Sequence, residues 1–90
     1  MTATLTVRHT VADYETWLVA YKDAGTIRNK YGCTGDRVYR LPANSNDVFV
    51  THDFLSTSQA EGFAGDSELR AAMERAGVTS APRIEIFELV

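Results

Sequence analysis

The sequence predicts an α+β domain in which strands and helices follow one another in the order β-α-β-β-α-β. The first and last segments alternate apolar and polar residues with a period of two, which is typical of half-buried strands. Two other segments carry apolar residues every three or four positions, as amphipathic helices do. The chain has only 90 residues, so we expect a single domain that spans residues 1–90.

The first strand and the first helix follow from the opening residues. Leu5, Val7 and His9 alternate with polar neighbours, which predicts a strand with one buried face. Asp13 can cap a helix by accepting from the free backbone N–H groups of its first turn, and Gly32 is a plausible end. The inner face of this helix is aromatic and carries Tyr14, Trp17, Leu18, Tyr21, Ala24 and Gly25.

The middle of the chain reads as a β-hairpin. Residues 37–41 form a second strand that ends at Pro42, because proline has no N–H to donate to a sheet. Residues 43–46 are rich in Asn and Ser and predict a turn. Residues 47–54 are rich in β-branched and aromatic side chains and predict the third strand.

A second helical segment and a last strand complete the chain. Residues 56–59 have the form of a capping box, so a helix begins there. Gly65 interrupts this helix, Asp66 can cap its continuation, and Gly77 ends it. The apolar stripe of the continuation contains Leu69, Ala72, Met73 and Ala76. Residues 83–90 alternate again and predict the fourth strand.

This order is that of the ferredoxin-like fold, a four-stranded antiparallel sheet with two helices on one face. Phe49 and Val50 are neighbours and must point to opposite faces of the sheet, as must Ile86 and Phe87. A strand that is apolar on both sides needs a cover on each side. We therefore expect a homodimer that forms through the sheet face carrying Phe49 and Phe87.

Local sequence features also resemble a known superfamily. They are His9 at the end of the first strand, the segment VADYETW at residues 11–17, and MERAGV at residues 73–78 before Pro82. The whole chain resembles the dimeric α+β barrel superfamily, and most of all its small bacterial antibiotic biosynthesis monooxygenase-like and cyclase-like proteins. The resemblance implies a dimeric α+β barrel and chemistry on a small molecule without a bound cofactor. It disfavours haem degradation, which uses a histidine of the second helix, because residues 56–77 contain none.

The two histidines are the candidate catalytic residues. His9 continues the apolar face of the first strand, near the aromatic helix, and could act as a general base, with Asp13 nearby to hold its tautomer. His52 has the same parity as Val50, and pairing Val50 with Val7 puts His52 roughly 13 Å along the sheet from His9. That separation is too long for joint metal ligation, so we expect no metal site. For each histidine, a hydrogen-bonded core residue is the alternative.

Aromatic and cationic side chains predict a binding pocket for a small apolar or aromatic ligand. Buried Tyr and Trp side chains need polar partners, which a ligand cavity can supply. Arg28 could anchor an anionic group such as a carboxylate or enolate, or it could extend past the core to water. A stripe with helical spacing can also be plain core. The candidate substrate-binding residues are Tyr14, Trp17, Tyr21, Arg28, Phe63 and Met73.

Composition and absent motifs exclude several classes of function. A formal net charge of −3 makes nucleic acid a poor partner, and residues 47–54 lack the glycine-containing string of RNA-binding sheets. No apolar run is long enough for a membrane span, and no signal peptide is visible, so we expect a cytoplasmic protein. A single cysteine excludes an intramolecular disulfide and a multi-thiolate zinc site. No nucleotide-binding or nucleophile-elbow motif occurs.

Two functional hypotheses remain. The first is a cofactor-free monooxygenase or cyclase that acts on an aromatic or polyketide-like substrate, with a histidine as general base. The alternative is a non-catalytic ligand-binding or stress-associated dimer with the same pocket.

Overall fold

A computed structural model describes residues 2–90, which form a four-stranded antiparallel sheet covered on one face by helices. The sheet order is β2-β3-β1-β4, with antiparallel pairing throughout, so the predicted fold class is confirmed. The elements in chain order are β1 (Ala3–Thr10), α1 (Tyr14–Asp23), α2 (Gly25–Lys30), β2 (Gly35–Leu41), β3 (Asn44–Phe54), α3 (Thr57–Ala64), α4 (Ser67–Arg75) and β4 (Arg83–Glu88). No helix in residues 2–90 combines the length and apolar composition that a bilayer crossing needs.

The central pair of strands has the register that the alternation predicts. Val7 lies opposite Val50, and Leu5 lies opposite His52. Leu5, Val7 and Val50 are buried beneath the helices, where they form the floor of the core. Because residues of equal parity share a face, this register also turns His9 and His52 towards the helices.

The first predicted helix is two helices, α1 and α2, with a break at Ala24. The predicted stripe left Ile27 off the inner face, whereas in the structure Ile27 is buried beside Leu5 and Phe63. In a continuous helix, position 27 would lie about 100° from Arg28 and about 60° from Ala24, at the edge of the predicted stripe. Gly25, a poor helix former, lies at the break. The break re-aims the chain so that both α1 and α2 bury a side chain.

The second helical segment divides as predicted. The α3 helix ends before Gly65, and the Asp66 carboxylate accepts from the backbone N–H of Glu68 at 2.7 Å to begin α4. The same carboxylate accepts from the Tyr31 hydroxyl and pairs with Lys30 Nζ at 3.3 Å. It thus links the end of α2 to the start of α4. The Tyr31 hydrogen bond is the main cause that lowers the pKa of Asp66 to about 2.

The hairpin is tighter than predicted. Its turn is Pro42–Ala43, and β3 begins at Asn44, so residues 44–46 belong to the strand rather than to a turn. The side chain of Asn46 explains part of this difference, because it accepts from the backbone N–H of Tyr14 at 2.9 Å. This bond, together with Val11 N–H to Asn46 O at 2.9 Å, ties the start of β3 to the start of α1.

The opposite, outer face of the sheet carries exposed aromatic side chains. Phe49 lies opposite Arg8 and next to Tyr39, with ring centroids 6.0 Å apart. Phe87 is 55% exposed and lies opposite Thr4. Both phenylalanines therefore occupy the face that the sequence assigned to them, together with polar pairs such as Arg8 and Asp47 at 3.1 Å.

Candidate functional site

A cavity of about 50 Å³ lies between the inner face of the sheet and the helices. Its wall is mainly apolar, with contributions from β1, β3 and all four helices or their ends. Seven of the eight candidate site residues line it: His9, Trp17, Tyr21, Arg28, His52, Phe63 and Met73. The fold therefore brings together side chains that lie up to 64 positions apart in the sequence, His9 and Met73 being the extremes.

Tyr14 is the exception and does not line the cavity, contrary to the prediction. Its ring stacks beside Trp17, with centroids 6.0 Å apart, and the Arg40 guanidinium lies 4.4 Å from its centre. Tyr14 is the first residue of α1, so it lies at the end of the stripe, beyond the part of the helix that covers the cavity.

His9 occupies the β1 end of the site and is 5% exposed. Its ring meets Trp17 edge-on, with centroids 5.8 Å apart. Neither ring nitrogen has a hydrogen-bond partner, and the Asp13 carboxylate caps α1 through Thr16 instead of holding the imidazole. Burial lowers the pKa of His9 below its usual 6.5, and the charge of Asp47 partly opposes this. The ring is therefore neutral at pH 7.

His52 is 4% exposed and packs against Phe63 and Tyr21, with ring centroids 4.9 Å and 6.1 Å away. Its Nδ1 atom has no hydrogen-bond partner. The pKa of His52 is lowered to about 4, mainly by burial and next by the nearby charge of Arg28. Asp53, the next residue, lies on the outer face and accepts from Thr4 at 2.8 Å, so the two do not form a dyad.

Arg28 is half-buried beside His52. Its guanidinium lies 4.1 Å from the centre of the Tyr21 ring, and Nη1 donates to the Tyr21 carbonyl oxygen at 2.9 Å. Among residues 2–90, no carboxylate lies within ion-pair distance of Arg28. The cation therefore keeps N–H groups free at the wall of the cavity.

Sequence reasoning missed Asp36, a residue of β2 that contacts the Tyr21 side chain. The Tyr21 hydroxyl donates to the Asp36 carboxylate; burial first, and then this bond, raise the pKa of Tyr21. Asp36 lies opposite His52 in the β2–β3 register. Extending the strand pairing from β1 and β3 to β2 would have found it.

Across residues 2–90, no three His, Cys, Asp or Glu side chains lie close enough together to hold a metal ion. Cys33 is free and donates to the Gly35 carbonyl oxygen at 3.2 Å. The polar groups that face the cavity are therefore imidazoles, a guanidinium and a phenol.

Comparison with solved structures places this architecture among known folds. SnoaB, a cofactor-independent oxygenase from Streptomyces nogalater, is 10% identical and superposes with a TM-score of 0.80 over 99% of this chain and 93% of that chain. The two chains therefore share this fold. A candidate antibiotic biosynthesis monooxygenase from Bordetella bronchiseptica is also 10% identical, with a TM-score of 0.82 over 99% of this chain and 97% of that chain.

A third protein with this fold, of unknown function and from Nitrosomonas europaea, is 18% identical, with a TM-score of 0.76 over 99% of this chain and 89% of that chain. No protein-family model and no curated protein sequence matches the chain. At identities this low the likeness establishes the fold, and one fold carries many chemistries. Function must therefore be argued from the cavity itself.

Proposed function

We propose that this protein is a cofactor-free monooxygenase or cyclase that acts on a small aromatic or polyketide-like substrate, with His9 as its general base. The observation that carries the proposal is a pair of buried imidazoles in one apolar cavity, with three ring nitrogens that have no partner. A buried polar group without a partner costs about 1–3 kcal/mol. A bound ligand with its own donors and acceptors would recover that free energy.

The two imidazoles differ in their fitness as bases. An effective general base has a pKa near the working pH. The pKa of His52 is about 4, so His52 binds a proton weakly at neutral pH. The charge of Asp47 favours the protonated form of His9. His9 therefore takes the proton, and His52 and Arg28 act on the substrate oxygen.

The proposed reaction begins when a neutral His9 nitrogen removes a proton from an acidic C–H bond or a phenol. The electron pair that remains is delocalised onto the substrate oxygen as an enolate or phenolate, which Arg28 stabilises through charge-assisted hydrogen bonds. In the oxygenase form, the carbanion reacts with O₂, so that a CH₂ group becomes a carbonyl and one molecule of water leaves. In the cyclase form, the carbanion attacks a carbonyl carbon of the same molecule, the carbonyl π bond breaks as the C–C bond forms, and the alkoxide takes back the proton from His9.

We also propose that the protein works as a homodimer. Phe49, Phe87 and Tyr39 are all exposed on the outer face of the sheet. A domain of this size buries about 60–70% of the surface of its unfolded chain by itself, less than larger domains do, and covering aromatic side chains contributes strongly to association. Sedimentation should give a mass twice the 9.9 kDa of the chain, and a folded monomer at micromolar concentration would exclude the dimer.

The experiment that tests the activity is a screen of phenolic and β-keto compounds for turnover with oxygen uptake. Oxygen consumed in a one-to-one ratio with substrate supports the oxygenase, and conversion without oxygen uptake supports the cyclase. Binding without turnover of any compound would favour the alternative, a ligand-binding dimer. Heat-denatured protein provides the control for spontaneous oxidation.

A further inference from the structure

One corner of the cavity combines an unpaired cation with an unpartnered donor. Arg28 lines the wall with no carboxylate partner among residues 2–90, and the buried Nδ1 of His52 has no partner. The Tyr21 carbonyl and ring hold the guanidinium in place. The Asp36 carboxylate is exposed on β2 and accepts from the Tyr21 hydroxyl, so it does not neutralise Arg28 by a direct ion pair.

A planar oxyanion would satisfy both groups together. A guanidinium presents parallel N–H donors that match the two oxygens of a carboxylate, or the single oxygen of a phenolate. A neutral imidazole can place its one proton on Nδ1 and donate from there without adding a second positive charge. Low local polarity strengthens such charge-assisted bonds, and the rest of the cavity wall is mainly apolar.

The size of the cavity limits the rest of the ligand. A volume of about 50 Å³ has room for roughly three to five water molecules, since each needs about 10–15 Å³ measured in this way. An apolar cavity of about 150 Å³ is known to hold benzene, so a single six-membered ring enters this cavity only when side chains at its wall move aside. Fused rings would require a larger movement, of the helices themselves.

We propose that the cavity takes single-ring ligands that carry an oxyanion, with the anionic group bound between Arg28 and His52 and the ring beside Trp17 and Phe63. This inference rests on the proposed function, because it names the substrate class of the same site. It separates the site into two parts: an anion corner of Arg28 and His52, and a ring pocket formed by the apolar wall.

The test compares benzoate with benzamide, which has nearly the same shape but no charge. Trp17 is the only tryptophan of the chain and lines the cavity, so its indole N–H gives a single, assigned NMR signal that reports binding. We expect benzoate to bind at least about tenfold more tightly than benzamide, as charge-assisted hydrogen bonds suggest. Anthracene-2-carboxylate, with the same charge and three rings, should bind at least about tenfold more weakly than benzoate.

Arg28→Met should remove the preference for benzoate and leave the affinity for benzamide unchanged. Arg28→Lys keeps the charge and should keep part of the preference. The matched control is Arg40→Met, because Arg40 also stacks on a tyrosine but lies outside the cavity; it should change neither affinity.

Each result has a separate meaning. If benzamide binds to the wild type as tightly as benzoate, or if Arg28→Met weakens both equally, the anion corner is refuted while the pocket stands. If anthracene-2-carboxylate binds as tightly as benzoate, the single-ring limit is refuted. If neither small ring moves the Trp17 signal, this inference is refuted, while the turnover screen decides the proposed function separately.

Discussion

His9 and His52 have nearly the same burial and very different surroundings. Both point from the inner face of the sheet into one cavity, and they are 5% and 4% exposed. His9 faces an indole edge and the distant charge of Asp47. His52 faces Phe63 and the cation of Arg28. Burial is the main cause that lowers both pKa values. Asp47 then partly raises the pKa of His9, whereas Arg28 lowers that of His52 further and Asp36 and Asp53 partly oppose it.

The difference teaches that burial alone does not assign a role to a histidine. Desolvation is the largest cause of the lowered pKa at both rings, and the charges nearby modify it differently at each. Two like groups whose surroundings push their pKa values apart are a common arrangement of acid–base sites. In the proposed mechanism, His9 is the base and His52 donates a hydrogen bond.

The largest expected effect is on stability in acid. The folded-state pKa of His52 is about 4, below its usual 6.5, so its contribution is fully present above pH 6.5 and is lost as the pH falls towards 4. The unfolded chain binds the proton more tightly across this window, and the loss amounts to about 3 kcal/mol. Urea unfolding between pH 7 and pH 4.5 should show less pH dependence in His52→Gln than in the wild type. Parallel curves for the two proteins would contradict the low pKa of His52.

The next effect concerns turnover of any substrate found by the screen. His9→Ala should lower kcat by about 10²-fold, the usual contribution of a general base, with an unchanged circular dichroism spectrum. His52→Ala should retain more activity than His9→Ala. In the wild type, activity should rise with pH through the lowered pKa of His9 and reach a plateau near neutrality. Normal turnover by His9→Ala with an inactive His52→Ala would reverse the two roles.

A smaller effect tests the cause of the difference. Arg28→Met removes the cation that lowers the pKa of His52, so this pKa should rise while that of His9 stays the same. Titration of the two imidazole signals by NMR measures both in one sample. The Arg40→Met protein is the control for loss of an arginine. An equal rise at both histidines would mean that Arg28→Met loosens the core instead.

The smallest effect on the histidines should come from the outer face. Phe49→Glu introduces charge where we expect the second subunit, so sedimentation should show the monomer. Because residue 49 points away from the cavity, both histidine pKa values should stay within experimental error. Thr51→Glu, on the same face, serves as a second test of the interface. A dimer that survives both substitutions would place the interface elsewhere.

Much of the fold and part of the site could be predicted from the sequence. The alternation of Leu5, Val7 and His9 was enough to give the buried face of β1, because a shift by one residue would have turned every apolar side chain to the wrong face. Pairing Val7 with Val50 then gave the β1–β3 register that the structure shows. The break between α3 and α4 was also predicted, since Gly65 and Asp66 combine an end signal with a capping residue. Local rules succeed where neighbouring residues determine the structure.

The remaining features depend on tertiary contacts. The break at Ala24 serves the burial of Ile27, which no local pattern displays. Tyr14 continues the helical stripe and still lies outside the cavity, because the stripe is longer than the cavity it covers. The role of Asp36 beside Tyr21 depends on the pairing of β2 with β3. Hydrophobic periodicity indicates which face of a helix is buried, but not how far along the helix the cavity extends.

The carboxylate of Asp66 has a mechanical consequence for the helix layer. It connects α2, which carries Arg28, to α4, which carries Met73, through bonds from Tyr31, Lys30 and the backbone. Because its pKa is about 2, it stays ionised over the whole range in which His52 titrates. Acid that protonates His52 therefore leaves the link between α2 and α4 in place, and a loss of stability over that pH range reports on the cavity rather than on the helix layer.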